Sequence, residues 1–419
     1  MARKCAPGTD GQADTAAARP LLHWSFIIGA GIFATTLSQP EVLDLPLRNL
    51  LRDDLHVTQQ EMAAFFALGA LPWYFKILAG FLSDSVPLFG TRRRHYLIVS
   101  ACFAAALWLV LGQVPRSYSS LLFAVVATNA MLVIGSTVIG GLLVEAGQRL
   151  GDASRLVSVR VFVESACVIV AGPLAGTLAG LPFGAAAAVG GAIAFTLAPV
   201  AWIVLNEPPA AKYNSSALAD AYTELRDLGR SPVLWLAGIL LLLTGIPQEF
   251  STSLYYYQRT ELRLTDDVIG YLKGLSGFGS VLAAAAYGYI SPRVPLRFLL
   301  QAAIIGGAVG TIIYCFYWSL GAAIAIEFVH GVLLTLWTLA LMEVAVWATP
   351  QLSAAAGFAV LMSIWNVGSK IGDNLGAVIV ERWSFSFFGL AGIYAILTLL
   401  TLYTITFLPR SLFDHHKTD

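Results

Sequence analysis

Asn366, Lys370 and Asn374 recur every fourth residue in the stretch SIWNVGSKIGDNLGA, with Asp373 beside them. In a helix that spacing puts the three on one face. An ammonium flanked by two amides suits an anionic solute that also makes hydrogen bonds. The competing reading is a Lys370–Asp373 pair that only steadies its helix. A second constellation is Gln248 and Glu249 directly after Pro247, followed by Tyr255, Tyr256 and Tyr257. The proline interrupts a helix and frees backbone groups. A flat heteroaromatic solute would stack on the tyrosines while the carboxylate accepted its N–H groups. Tyrosine is equally the ordinary residue of a membrane interface, so both readings stand.

Other ionisable side chains also lie within greasy stretches. Lys76 stands two turns before Asp84 in KILAGFLSDSVPLFGTRRRHYL, which ends on Arg92, Arg93 and Arg94. The lysine either meets an acid from another helix or faces a pathway. The arginines read as gate hardware that pairs with Asp84 or with neighbouring helix ends. Asn129 is a pathway amide. Arg160 and Glu164, spaced i, i+4, form either a gate or a self-neutralising pair. Glu327 and His330, spaced i, i+3, with Glu343 farther along, read as a proton relay, because a histidine beside a carboxylate titrates near neutral pH. A single hydrogen bond between helices is the alternative. Glu41, with Gln39 and Asp44 nearby, guards the end of the first helix. A charge at a bilayer centre costs at least about 2.5–3.5 kcal/mol, so each such residue invites a functional reading.

The elements that must position these groups are membrane helices. Of 419 residues, 57% are hydrophobic and 12% charged, against about 25% charged in soluble domains. Twelve spans are predicted, roughly 21–40, 61–83, 95–114, 119–144, 156–180, 183–205, 233–257, 267–290, 297–317, 319–346, 352–379 and 386–408. Residues 1–20 read as a disordered tail, 206–232 as a polar, proline-punctuated linker on the cytoplasmic side, and 409–419 as a second tail. Two six-helix halves, 21–205 and 233–408, result. Sixteen Lys and Arg residues fall on the side of both termini and six on the other, which predicts a multi-pass protein of the cell membrane with both ends cytoplasmic. GFLSDSVPL at residue 80 and GYISPRVPL at residue 288 match at an offset of 208 that also carries Glu41 onto Glu249. A duplicated six-helix unit is the architecture of secondary transporters, whose site lies between the repeats.

The chain has zero formal net charge and four cysteines without C-x-x-C spacing, so neither a nucleic-acid partner nor a disulfide framework is indicated. There is no P-loop, metal-ligand cluster or nucleophile motif, and neither an enzyme nor a cofactor is expected.

The loop GFLSDSVPLFGTRRR is similar to the Gly/Asp/Arg loop between helices 2 and 3 of the major facilitator superfamily. Together with LPLRNLLRDDL, LLVEAGQRLG, QEFSTSLYYYQ and SIWNVGSKIGDNLGA, it resembles the folate-biopterin transporter family over roughly residues 37–380. The resemblance implies an all-α polytopic bundle with the twelve-helix major facilitator fold. It further implies alternating-access transport of a folate or pterin solute, with protons as the suspected coupling ion. Another polar or anionic metabolite would use the same charges. A receptor or assembly factor that has lost transport is the third reading.

Overall fold

The computed structural model describes residues 10–39, 42–150, 153–207, 223, 226, 228–349 and 354–409. Most of the linker, Glu41 and the side chain of Asp84 lie outside the described residues. Within them the chain is helical: α1 (Asp10–Leu37), α2 (Asp44–Asn49), α3 (Gln59–Gly69), α4 (Leu71–Tyr74), α5 (Lys76–Ser85), α6 (Arg94–Leu111), α7 (Tyr118–Leu150), α8 (Ala153–Ala179), α9 (Phe183–Phe195), α10 (Leu197–Val204), α11 (Pro232–Gly245), α12 (Ser251–Thr260), α13 (Asp266–Ile290), α14 (Leu296–Ile312), α15 (Leu320–Ala348), α16 (Ala354–Arg382) and α17 (Phe387–Leu400). With their breaks bridged, these form twelve passages, in keeping with the expected count. Nine of the described passages are long and apolar enough to cross a membrane. The three that fall short are α1, the segmented α3–α5, and the polar α16. Helix α1 starts at Asp10, ahead of the expected residue 21.

Local chemistry explains most boundaries. Thr58 and Glu61 form a reciprocal capping box at the start of α3, which satisfies two orphan amides. Ser231, Ser319 and Ser386 cap α11, α15 and α17 with their side chains. The second passage was expected to be one helix over 61–83. Instead it breaks at Ala70 and again at Phe75 (φ −110°, ψ 25°), on either side of a single turn that opens with Leu71-Pro72. The proline cannot donate the bond that would continue α3. The seventh passage breaks at residues 246–250, around Pro247, where Glu249 is extended.

Packing sorts by sequence. One apolar cluster is built only from residues 24–205, and two others only from residues 228–408. A fourth belongs to the first group but also takes in Tyr255 and Ile269, so the two groups of helices meet there. Their tightest seam is α8 against α13. Both carry Gly-x-x-x-Gly, at Gly172/Gly176 and at Gly270/Gly274. A Cβ on Gly172 would lie 2.5 Å from the Gly270 carbonyl oxygen, and one on Gly270 2.5 Å from that of Gly172. Small residues let backbones approach where lipid supplies no hydrophobic drive.

Candidate functional site

The segment after the first passage and the break in the seventh set two short helices, α2 and α12, facing each other. The 208-residue offset carries Asp44 onto Thr252, so the facing segments are repeat-related. Arg48 of α2 is buried, at 5% exposure. Its Nε bonds Asp44 Oδ1 at 2.7 Å, and its terminal nitrogens donate to Thr252 Oγ1 (3.2 Å) and Ser251 Oγ (3.4 Å). The guanidinium lies 4.5 Å from the centre of the Phe66 ring, a favourable cation–π position. Asp44 Oδ2 also takes Lys273 Nζ at 2.9 Å. Burial would raise the Asp44 carboxyl pKa, but Arg48 and Lys273 more than reverse this and hold it below the ordinary carboxylate value. Asp44 belongs to the segment between the first two passages.

Behind this pair sits Asp373, 1% exposed. It accepts from the Thr252 amide (2.8 Å) and the Thr252 hydroxyl (2.6 Å). The Thr252 hydroxyl therefore accepts from Arg48 and donates to Asp373. Around it, Tyr255 OH donates to Asn49 Oδ1 at 2.6 Å, and Asn49 Nδ2 donates to Asp266 Oδ2 at 2.9 Å. Tyr256 OH donates to the Val57 carbonyl at 2.6 Å. Asn374 Nδ2 donates to the Ala63 carbonyl at 3.2 Å, and the Gln60 amide to Glu381 at 2.8 Å. All of these join the earlier group of helices to the later one, or brace a residue that does. Together they form a clamp that closes this end of the bundle.

The clamp revises several expectations. Asp373, Asn374, Tyr255 and Tyr256 were expected to face the solute; in this state their polar atoms hold the clamp shut. The Lys370–Asp373 pair does not form among the described residues, because Asp373 is taken by Thr252. Arg92, Arg93 and Arg94, expected to pair with Asp84 or with neighbouring helix ends, meet helix ends of their own half. Buried Arg93 bonds Glu145 (2.7 and 3.1 Å) and Ser83 (3.1 Å). Arg94 reaches the Trp202 carbonyl at 2.7 Å and lies 4.7 Å from that ring's centre. The amides of all three bond the Glu207 carboxylate at 2.9–3.0 Å, which neutralises the positive start of α6. These arginines brace the first group of helices. Arg160 and Glu164 pair with each other at 2.9 Å. Glu343 accepts from Tyr287 OH at 2.5 Å. Glu327 and His330 are both buried but show no bond to one another: Glu327 takes the Tyr317 hydroxyl at 3.0 Å, and His330 Nε2 has no hydrogen-bond partner.

Two lysines remain without a carboxylate at bonding distance among the described residues. Lys76 is the first residue of α5, just past the Phe75 break. Its Nζ donates to Ser136 Oγ at 3.1 Å and lies 5.4 Å from the Trp73 ring centre. Trp73 Nε1 donates to Asn129 Oδ1 at 3.2 Å, and Asn129 Nδ2 donates to the Gly69 carbonyl at 2.8 Å. Asn129 thus ties the broken helix to α7 and orients the tryptophan beneath the lysine. Half-buried Lys370 makes no side-chain hydrogen bond or ion pair among the described residues, and neither do Asn366 or Glu249. Gln248 is spoken for by Thr398 and Thr311. Sequence reasoning missed Arg48, Thr252, Ser251, Asn49 and Lys273. The repeat offset, extended from Glu41 to its neighbours, was the available signal for Thr252.

Comparison with known proteins agrees with this architecture. Over 99 residues the chain is 37% identical to a folate-biopterin transporter of Synechocystis sp.; the match covers 24% of this chain and 20% of that protein. The chain therefore spans about a fifth of that relative's length. The fold superposes on the crystal structure of the nucleoside transporter NupG, D323A mutant, with a TM-score of 0.72 at 11% identity, covering 92% of this chain and 99% of the other. It also matches a D-xylose-proton symporter (TM-score 0.71, 12% identity, 95% and 100% covered). The fold is thus that of the major facilitator proteins. A model of the BT1 family matches residues 41–410, and the chain belongs to that family.

Proposed function

We propose that the protein is a secondary transporter of a folate- or pterin-type anion, driven by protons and working by alternating access between helices 21–205 and 233–408. The observation that carries this reading is the pair of lysines, Lys76 and Lys370, that no carboxylate neutralises among the described residues. An ammonium inside a bilayer costs several kcal/mol unless something compensates it, and an anionic solute is such a partner. Trp73 lies under Lys76, 5.4 Å from its ammonium to the ring centre, and Asn366 shares the helix face of Lys370. Broken helices lining the midplane are where transporters of this architecture hold solutes. The relative named as a folate-biopterin transporter supports the solute class. By the charge count, the clamped end faces outward and both termini face the cytoplasm, so this state is closed on the outward side.

The test is uptake of labelled folate and biopterin into proteoliposomes, with and without an inward proton gradient. Uptake above empty vesicles, rising with the gradient and lost in Lys370→Ala and Lys76→Ala, is expected. Absence of uptake of either compound under both conditions refutes the solute class. A thermal-shift screen of nucleosides, sugars and organic acids then identifies another solute.

A further inference from the structure

The second group of helices contains a buried acid that the clamp does not use. Glu327, in the upper part of α15, is 6% exposed. Its Oε1 accepts from Tyr317 OH at 3.0 Å. Tyr317 OH in turn accepts from Gln258 Nε2 at 2.7 Å. Tyr314 and Tyr317 are themselves buried and stacked, with ring centres 5.2 Å apart.

The groups facing this carboxyl are otherwise neutral or occupied. Tyr314 and Tyr317 come from the turn after α14, and Gln258 and Tyr257 from α12. On its own helix, His330 is wedged between Phe250 and Tyr314, at 6.3 and 5.0 Å between ring centres. Among the described residues, the one charged group that acts on it is Lys273 of α13, whose ammonium is bonded to Asp44 at 2.9 Å. A carboxylate buried without its own cation is costly, whereas the protonated acid is not.

We infer that Glu327 is a proton-binding site, and that its hydrogen-bond chain through Tyr317 and Gln258 ties proton occupancy to α12, the helix that carries the Thr252 clamp. The inference rests on the proton-driven reading above and names where that proton sits. The proton adds to Oε2, converting carboxylate to neutral acid, while Oε1 keeps the tyrosine bond. Gln258 and Thr252 lie on one ten-residue helix, so the carboxyl and the clamp share a rigid element. This differs from a Glu327–His330 relay, since the histidine makes no bond to the acid.

The test needs no solute. Purified protein is titrated from about pH 5 to about pH 9 while the infrared carbonyl stretch of protonated carboxylic acids is followed. Wild type should show a titrating band that is missing in Glu327→Gln, a variant of matched shape that keeps the bond from Tyr317. In Tyr317→Phe the ionised form loses a donor, so the same band should titrate at higher pH. A titration identical in wild type and Glu327→Gln overturns the assignment. So does a Tyr317→Phe titration that does not move. Folate uptake is scored separately, and a failure there leaves the infrared result to decide the proton site.

Discussion

Replacing Thr252 with valine tests whether the clamp sets the equilibrium between closed and open states. The substitution removes one hydroxyl and barely changes volume. Two bonds to charged groups disappear, one to Asp373 at 2.6 Å and one from Arg48 at 3.2 Å. The Asp373 bond lies within the later group of helices and survives opening, so its loss weakens both states alike. The Arg48 bond crosses between groups and exists only when the end is closed. A hydrogen bond to a charged group contributes about 1.5–3 kcal/mol. Losing it should shift the ratio of closed to open molecules by about 10- to 150-fold. The assay is a distance distribution between spin labels at Gln60, whose backbone amide keeps its 2.8 Å bond to Glu381, and exposed Arg382, in a background with the native cysteines replaced. Thr252→Val should populate a longer separation that wild type lacks. A distribution unchanged from wild type, with only a lowered melting temperature, would refute the claim that Thr252 holds the two groups together.

Other outcomes follow from the same geometry. Gly270→Val should lower the detergent melting temperature by the equivalent of about 1–3 kcal/mol of overpacking, because its Cβ meets the Gly172 carbonyl; Gly140→Ala, with open space around it, should leave it unchanged. Glu207→Gln removes the charge from the carboxylate that caps the start of α6 and should cost about 1 kcal/mol in thermal unfolding, whereas Arg92→Ala, whose side chain is exposed, should cost nothing measurable. The pH dependence of closure has a worked sign. Asp44 is depressed below its unfolded value of about 3.9, so its contribution is complete above that value and is lost only as pH falls through the depressed one. Measured in a Glu327→Gln background, the Gln60–Arg382 label distance should therefore stay constant down to about pH 5, and a transition above that would contradict the assignment.

The bundle was legible because membrane insertion is read from the chain alone. Each span must be apolar enough to enter lipid and long enough to cross it, and both properties are local. The repeat was legible for the same reason: duplicated segments keep their turn residues, as GFLSDSVPL and GYISPRVPL do. The breaks were half legible. Pro247 announced its interruption, while the kinks around Leu71–Tyr74 went unseen because Pro72 at the second residue of a turn is compatible with a helix start.

Partner choice was not legible. Tyr255, Tyr256, Asp373 and Asn374 have the residue types of a binding face, and a linear pattern cannot tell a group that awaits a solute from one satisfied by another helix. Asp373 meets Thr252 across 121 residues, and Arg48 meets it across 204. Nothing local encodes such pairings. The triple arginine shows the same limit: its charge announced pairing with Asp84 or neighbouring helix ends, but only the fold names Glu145, Trp202 and Glu207 as the partners. What the chain by itself determined was the solvent each segment must inhabit, because hydrophobicity and length are properties of a segment. What only the tertiary structure decided was which charges are spent on one another and which, like those of Lys76 and Lys370, meet no carboxylate at bonding distance among the described residues, because neutralisation depends on distances of about 3 Å between residues far apart in the chain.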